Sequence, residues 1–279
     1  MSKEQEQLLQ WIDESDNIVF FGGAGVSTES KIPDFRSVDG LYKQNYDYPP
    51  ETILSHSFYI RNPEEFYRFY RDKMLFPDAD PNAAHIALAN LEKQGKLKAV
   101  ITQNIDGLHQ KAGSKEVLEL HGSVLRNHCT HCHKFYSLED ILAMDGVPHC
   151  ECGGIIKPDV VLYEEGLDMP LMERAISYIR DADLLIIGGT SLVVYPAAGL
   201  IDYYQGDKLV LINKDKTSKD NFCGCQYIAW KHLVYTTCST VTGIRYFFRI
   251  KDKRNLLFFL SFFLHRLSCK YNTWPFFID

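Results

Sequence analysis

A short apolar run that leads into a cluster of glycines constrains the fold of this chain more than any other feature. The run covers Ile18 to Phe21, and Gly22, Gly23 and Gly25 follow it directly. Short apolar runs between polar residues are typical of buried parallel strands. In doubly wound folds, a strand, a glycine-rich turn and a helix start in succession hold a pyrophosphate, because the backbone can come close and offers free N–H groups. We therefore expect an α/β fold with a nucleotide site at these glycines.

The glycine cluster alone is also compatible with a simple tight turn, but four further apolar runs end in polar motifs. The five predicted strands are Ile18 to Phe21, Lys96 to Thr102, Val117 to Leu120, Asp183 to Gly188 and Lys208 to Ile212, followed by GGAG, QNID, HG, GTS and NKD. In open parallel sheets the ligand crevice lies beyond the carboxyl ends of the strands. The pattern therefore predicts a Rossmann-like, doubly wound parallel sheet with five motifs lining one crevice.

Two residues differ from the pattern of an ordinary dinucleotide-dependent dehydrogenase and argue against that class of enzyme. Thr28 stands where the third glycine of the usual fingerprint would be. Gln103 stands where such an enzyme places an acid for the adenosine ribose. The crevice is therefore expected to hold its nucleotide in a different pose.

A second module is indicated by cysteine spacing between the third and fourth predicted strands. The four thiols lie in two close pairs, at Cys129, Cys132, Cys150 and Cys152. Two such pairs can close a tetrahedral zinc shell, and a full sulfur shell leaves no position for a catalytic water. Neighbouring imidazoles could replace one thiolate, at His128, His131, His133 or His149. We predict one structural Zn²⁺ held by the four cysteines in a small inserted zinc ribbon.

Composition sets the broad class. Hydrophobic residues make up 46% of the chain and charged residues 24%, as in globular proteins, and the net charge of −6 argues against a nucleic-acid platform. The first residues, MSKEQEQLLQW, contain no signal-peptide core, and the longest apolar run is about half of a membrane-spanning length. We expect a cytoplasmic monomer with no nucleic-acid partner, and with no membrane partner unless the aromatic segment at residues 222–279 docks on one.

Taken together, these motifs resemble those of the sirtuins, NAD-dependent protein deacylases. The match is densest from Gly23 to Arg36, GAGVSTESKIPDFR, and the motifs follow the family order from about Asp16 to Asp215. The resemblance implies transfer of an acyl group from a protein lysine to the ADP-ribose of NAD. It implies a deacetylase that releases nicotinamide and O-acetyl-ADP-ribose.

The resemblance also implies roles for the crevice residues. Groups near the phosphates would be Gly23, Ala24, Gly25, Thr28 and Arg36, and Phe35 would shield the reacting ribose carbon. The nicotinamide amide would contact Ile105 and Asp106, while Gln103 and Asn104 would position the ribose and a water. The adenosine half would lie against Thr190, Ser191 and Asn213. His121, although a lone histidine is more often structural, would be the general base, a role that suits an imidazole.

The substrate would contact two further segments. Tyr67 and Tyr70 belong to a predicted helix that starts at Pro63 and would line the acyl channel. The main chain around Val160, Val161 and Tyr163 would pair with the substrate peptide by strand addition. The family usually has phenylalanine and glycine where this chain has Tyr163 and Glu164, which puts peptide selectivity in question.

These assignments divide the chain into four parts. They are a Rossmann-like domain (1–36, 82–125 and 158–221), a cofactor loop with a helical module (37–81), a zinc-ribbon module (126–157) and an atypical tail (222–279). The tail holds 15 of the 36 aromatic residues, and 8 basic against 2 acidic ones. No strand or terminal helix of the family is evident there. The tail is either a docking segment for a membrane or partner, or sequence unrelated to the fold.

Three alternatives stand beside the deacetylase. A protein ADP-ribosyltransferase would use the same crevice but leave the ribose on a protein side chain. A zinc-ribbon nucleic-acid binder would need a basic face, whereas the region from Arg126 to Lys157 is close to neutral. An NAD-binding protein inactivated by the altered tail is the third.

Overall fold

The computed structural model describes residues 3–34, 47–213, 217, 226–230, 233–240 and 243–250. Its helices are α1 (Lys3–Glu14), α2 (Pro50–Ile53), α3 (His56–Arg61), α4 (Pro63–Lys73), α5 (Ala83–Lys93), α6 (Leu108–Lys111), α7 (Leu138–Leu142) and α8 (Met169–Asp181). Its strands are β1 (Ile18–Gly22), β2 (Leu97–Thr102), β3 (Val117–Glu119), β4 (Gly122–Cys129), β5 (Phe135–Ser137), β6 (Ile156–Val160), β7 (Leu184–Gly188), β8 (Lys208–Asn213), β9 (Gln226–Trp230), β10 (Leu233–Thr240) and β11 (Gly243–Ile250).

The main sheet contains the five predicted strands. Its order is β3-β2-β1-β7-β8-β11-β10-β9, and the pairs from β3 to β8 are all parallel. The central strands β1 and β7 are buried along their whole length because both faces are covered. The α/β class and the parallel, Rossmann-like sheet are therefore confirmed.

Alternate residues of β1 point to two separate cores. Val19 and Phe21 pack with residues of α8 and of the 3-10 helix Ala197–Tyr203. Ile18 and Phe20 pack with residues of α1 and α5 on the other face. This alternation follows from the two-residue period of a strand and makes the sheet doubly wound.

Two small modules lie beside the main sheet. Strands β5, β4 and β6 form an antiparallel sheet that carries the cysteines, and its bounds include residues 122–125 and 158–160, which the sequence analysis assigned to the Rossmann-like domain. Helices α2 to α4 enclose an aromatic core in which Phe66 and Phe69 are fully buried. Pro63 occupies the first turn of α4, as predicted.

The described residues of the tail differ from expectation. Strand β11 pairs in parallel with β8, and β10 and β9 continue the sheet in antiparallel pairs, although no strand was predicted there. The segments LVYTTCST and GIRYFFRI are rich in β-branched and aromatic residues, a composition that favours strands. The assignment of 222–279 as a separate, atypical part stays a prediction.

Two buried histidines behind the crevice make stability depend on pH. His85 on α5 and His109 on α6 pack with ring centroids 4.7 Å apart. Burial lowers the pKa of His85 from 6.5 to about 4 and that of His109 to about 3. Between pH 6.5 and about 4 the unfolded chain therefore binds more protons than the folded one, so stability falls as the pH falls.

We expect the free energy of unfolding, measured by denaturant titration, to decrease steadily from pH 6.5 to pH 4.5. His109→Phe should flatten this slope, because it removes one ring that must stay neutral in the fold. An unchanged slope in the variant would assign the pH dependence to other groups.

Among the described residues, no helix combines the length and the hydropathy needed to cross a bilayer.

Candidate active site

The polar motifs that follow β1, β2, β3 and β7 and the last residue of β8, Asn213, meet in one cavity of about 1080 Å³. The residues predicted to hold NAD that the structure describes all line it, namely Gly23, Ala24, Gly25, Thr28, Gln103, Asn104, Ile105, Asp106, Thr190, Ser191 and Asn213. His121 lines the same cavity. Phe35 and Arg36 lie outside the described residues. The volume fits a dinucleotide together with an extended side chain, since sites for single small molecules span about 300–1,000 Å³.

The glycine-containing loops after β1 and β7 are in direct backbone contact in the cavity wall. Gly25 N–H donates to the Gly189 carbonyl over 2.8 Å. A Cβ on Gly189 would lie 2.4 Å from the Val26 nitrogen, and the φ of Gly189 is +59°. Only glycine satisfies both the spacing and the left-handed backbone there. The motifs after β1 and β7 are thereby held in a fixed relative position.

A polar network joins the glycine loop to the motif after β2. The Ser27 hydroxyl donates to Asp106 Oδ2 over 2.6 Å, and Asn104 Nδ2 donates to the Ser27 oxygen over 3.0 Å. Asp106 Oδ1 accepts from the Leu108 N–H at 2.9 Å. Because Asp106 is fixed by both oxygens and Asn104 by its amide, their remaining polar groups have defined directions. Sequence reasoning gave Ser27 no role, although it is part of the quoted GAGVS motif.

A second link joins the ends of β2 and β7. Gln103 Nε2 donates to Thr190 Oγ1 over 3.1 Å, and the same oxygen accepts from the Leu192 N–H at 3.3 Å. These bonds place Gln103, which is predicted to position the ribose, next to Thr190, which is predicted to hold the adenosine half.

His121 is oriented by the backbone of the neighbouring strand end. Its Nδ1 lies 3.1 Å from the Gln103 carbonyl oxygen. Since a carbonyl can only accept, Nδ1 carries the proton and Nε2 keeps its lone pair when the ring is neutral. Burial lowers the pKa of His121 below its ordinary 6.5, an effect partly opposed by this hydrogen bond. The ring is therefore a neutral base at physiological pH.

The predicted substrate residues fall into two groups. Tyr70, Val160, Val161 and Tyr163 line the cavity. Tyr67 is not brought into the wall: it is 1% exposed and its hydroxyl donates to the Ile156 carbonyl. All four positions of the run Phe66, Tyr67, Phe69 and Tyr70 are buried, so the sequence pattern did not reveal which ring faces the cavity.

The four predicted zinc ligands converge. All four sulfur atoms lie within 4.8 Å of one another, with 3.4 Å between Cys129 and Cys152 and 3.5 Å between Cys132 and Cys150. A tetrahedral site with Zn–S bonds of 2.3 Å has sulfur–sulfur edges of about 3.8 Å. Backbone N–H groups of His131 and Cys132 also donate to the Cys129 sulfur, as thiolates require. The four thiols therefore fit a structural zinc ion, and none of the described histidines belongs to the cluster.

Removing a zinc ligand should unfold this module. Its own core is small and includes the ligands Cys129 and Cys150, so it depends on the metal. We expect Cys129→Ser to lower the free energy of unfolding by at least about 4 kcal/mol, whereas Thr130→Ala in the same turn costs about 1 kcal/mol. Thermal unfolding and zinc content measure this. Less than about half a zinc per folded wild-type chain would contradict a four-thiolate site.

Comparison with known proteins agrees with this geometry. The model of the Sir2 family matches residues 23–196, from the glycine loop to the segment after β7. The chain belongs to the Sir2 family. It is 61% identical over 219 residues to an NAD-dependent protein deacetylase of Clostridium acetobutylicum, covering 77% of this chain and 89% of that protein. It is 62% identical over 225 residues to one of Clostridium perfringens, covering 79% and 92%.

Solved Sir2 structures have the same fold. A structure described as Sir2 with p53 peptide and NAD⁺ superposes with a TM-score of 0.74 at 35% identity, over 96% of this chain and all (100%) of that one. A Sir2 variant with deacetylated p53 peptide and 3′-O-acetyl-ADP-ribose gives 0.71 at 42% identity, over 78% and 89%. Both TM-scores show that the chain shares the overall fold of these structures.

Proposed function

We propose that this protein is an NAD-dependent protein-lysine deacetylase that releases nicotinamide and O-acetyl-ADP-ribose. The observation that carries the proposal is the meeting of residues from five strand ends, His121 among them, in one cavity. The Sir2 relatives bear the name of this activity. NAD supplies the ribose that accepts the acetyl group.

Different residues of the cavity would have different roles in the reaction. The loops at Gly25 and Gly189 would hold the phosphates close to the backbone. Asp106, fixed by Ser27 and Leu108, would orient the nicotinamide amide. His121 Nε2 would take the proton of a ribose hydroxyl, while its Nδ1–H stays on the Gln103 carbonyl. The apolar wall at Val160 and Tyr70 would exclude water from the acyl group.

The test is a product analysis of the full chain. Incubation with NAD and an acetyl-lysine peptide should give free lysine peptide, nicotinamide and O-acetyl-ADP-ribose in equal amounts by mass spectrometry. A protein ADP-ribosyltransferase would instead increase the mass of a protein by one ADP-ribose. A chain inactivated by its tail would bind NAD in calorimetry but release no nicotinamide.

The acyl preference follows from the helical module. In this family a Tyr-x-x-Arg pair in the helical module marks the enzymes that prefer succinyl and related acidic acyl groups, and here the arginine position holds Tyr70. Arg71, the next cation on the helix, is committed elsewhere: it donates to the Ile141 carbonyl over 2.8 Å and to the Gly146 carbonyl over 3.2 Å. A buried carboxylate would therefore lack its bidentate partner, a charge-assisted contact of about 1.5–3 kcal/mol.

We expect acetyl-lysine to be favoured over succinyl-lysine by at least about tenfold in kcat/KM, equivalent to about 1.4 kcal/mol. Kinetics on one peptide sequence carrying either group measure the ratio. Tyr70→Arg, which restores the family pair, should reduce it, and equal rates in the wild type would mean that another cation reaches the channel.

We further infer that the protein acts on acylated-lysine proteins in the cytoplasm as a monomer, without a nucleic-acid or membrane partner. The acidic net charge of −6 supports this for nucleic acids. Size-exclusion chromatography with light scattering tests the monomer.

A further inference from the structure

The chain that leaves β6 forms one wall of the cavity and joins two parts of the molecule. This edge segment, residues 160–165, lines the cavity throughout. At its start, Val161 N–H donates to the His121 carbonyl over 3.0 Å. Further on, Tyr163 N–H donates to the Leu54 carbonyl over 3.0 Å. The position of the edge segment therefore sets the distance between the predicted base and the helical module.

Glu164 adopts a backbone conformation that its residue type disfavours. Its φ is +75°, in the left-handed region that glycine enters freely and other residues rarely enter. Glycine would satisfy this backbone without strain. The presence of a glutamate therefore needs a reason in its side chain.

The side chain of Glu164 makes two hydrogen bonds across to α3. Oε2 accepts from the Ser57 N–H at 2.9 Å, and Oε1 accepts from the Ser57 hydroxyl at 3.1 Å. The two residues are 107 positions apart in the chain. The carboxylate thus ties the edge segment to the first turn of α3, where backbone N–H groups lack helical partners.

The next residue reinforces the same contact. Glu165 accepts from His56 Nδ1 at 2.8 Å and from the Leu162 N–H at 2.9 Å. The His56 backbone N–H donates to the Tyr163 carbonyl over 2.9 Å. Two successive carboxylates therefore bind two successive residues of α3, and the main chain just before them, at Tyr163, is bonded to the same turn.

We propose that Glu164 is a positioning residue of the peptide site. Its carboxylate holds the edge segment against α3 and so fixes the line along which a substrate peptide pairs as an added strand. This inference rests on the proposed deacetylase function, because it assumes that an acetylated peptide occupies this wall. It assigns Glu164 no contact with the reacting atoms.

Three substitutions distinguish the effect of the Glu164 side chain from the effect of its backbone conformation. Glu164→Ala removes both hydrogen bonds and keeps the strained φ, and we expect the KM for an acetyl-lysine peptide to rise about tenfold because two hydrogen bonds to Ser57 are lost. Glu164→Gly removes the bonds and relieves the strain, so KM should rise as much while the unfolding midpoint stays near that of the wild type. Glu164→Gln can accept from the N–H and donate to the hydroxyl of Ser57, so its KM should stay within about twofold.

In all three variants the KM for NAD should stay within about twofold of wild type and kcat within about threefold, since a positioning residue of the peptide wall changes peptide binding first. Ser57→Ala in the Glu164→Ala background should add nothing, because the partners act as one unit. Glu64→Ala is the matched control. Glu64 is an exposed glutamate of the helical module that does not line the cavity.

Two results would overturn the inference. A normal peptide KM in Glu164→Gly would show that the backbone conformation alone matters. A loss in Glu164→Gln equal to that in Glu164→Ala would show that the charge acts on the substrate directly. Binding of a fluorescent acetyl-lysine peptide, measured by anisotropy without NAD, gives the same comparison without turnover. A wild-type chain that binds the peptide but releases no nicotinamide refutes the proposed function alone, and one that does neither refutes both.

Discussion

Replacing His121 by alanine should abolish deacetylation while leaving NAD affinity within a few-fold of wild type. The ring is the cavity-lining imidazole held by a strand end, with Nδ1 committed to the Gln103 carbonyl and Nε2 available to accept a proton. General base catalysis typically contributes about 10²–10⁴-fold, so we expect a loss of at least about 10³-fold in nicotinamide and deacetylated-peptide formation. NAD affinity should survive because the glycine loops do not involve this ring.

Two variants distinguish a base from a structural ring. His121→Gln can still donate to the Gln103 carbonyl but cannot take up a proton, and it should be as inactive as the alanine variant. His109→Phe alters another buried imidazole and should retain turnover within several-fold. Near-normal turnover of either His121 variant would remove it as the base.

The pH profile gives an independent readout. A base must be neutral to act, and burial lowers the pKa of His121 below 6.5. Activity controlled by this ring should therefore persist as the pH falls through 6.5 and decline only below it. A decline centred above pH 6.5 would point to a different ionising group.

The sequence was sufficient to predict strands β1, β2, β3, β7 and β8 of the main sheet and the location of the site, but not β9, β10 and β11. Each of the five predicted strands is a mostly apolar run that leads into a polar motif, and in an open sheet such ends must meet at one edge. The cysteine pairs were equally informative, because tetrahedral sulfur coordination requires all four thiols at short range. In both cases a pattern that is visible in the sequence requires a particular arrangement in space: strand ends at one edge of a sheet, and four sulfur atoms around one metal ion.

The features that sequence reasoning missed depend on contacts between distant segments. Ser27 bonds to Asp106, 79 positions away, and Glu164 bonds to Ser57, 107 positions away. No periodicity connects such pairs. Tyr67 shows a related limit, since four aromatic residues within five positions of α4 cover more than one helix face. The Tyr67 hydroxyl donates to the Ile156 carbonyl, 89 positions away, and the sequence pattern does not reveal this contact.

Substituting Gly122 by alanine should disrupt the contact between the chain at His121, the predicted base, and the start of the edge segment at Val160. Gly122 follows His121, starts β4 and pairs with Val160 at the end of β6. Its φ is +76°, and an added Cβ would lie 1.8 Å from the Asp159 carbonyl oxygen. This distance is far inside van der Waals contact and the obstacle is backbone, so β6 must separate from β4. We expect Gly122→Ala to cost at least about 4 kcal/mol of unfolding free energy.

Gly95 offers a control with the same backbone conformation and no obstacle. Its φ is +77°, and a Cβ there would meet nothing within 4 Å. Gly95→Ala should therefore cost only the left-handed penalty of about 1–2 kcal/mol. The difference between the two variants isolates the clash from the conformational cost, and denaturant titration of both measures it. Equal costs would mean that β4 and β6 can separate beside His121 without loss of stability. The close backbone contact at Gly122 would then not hold the edge segment beside His121.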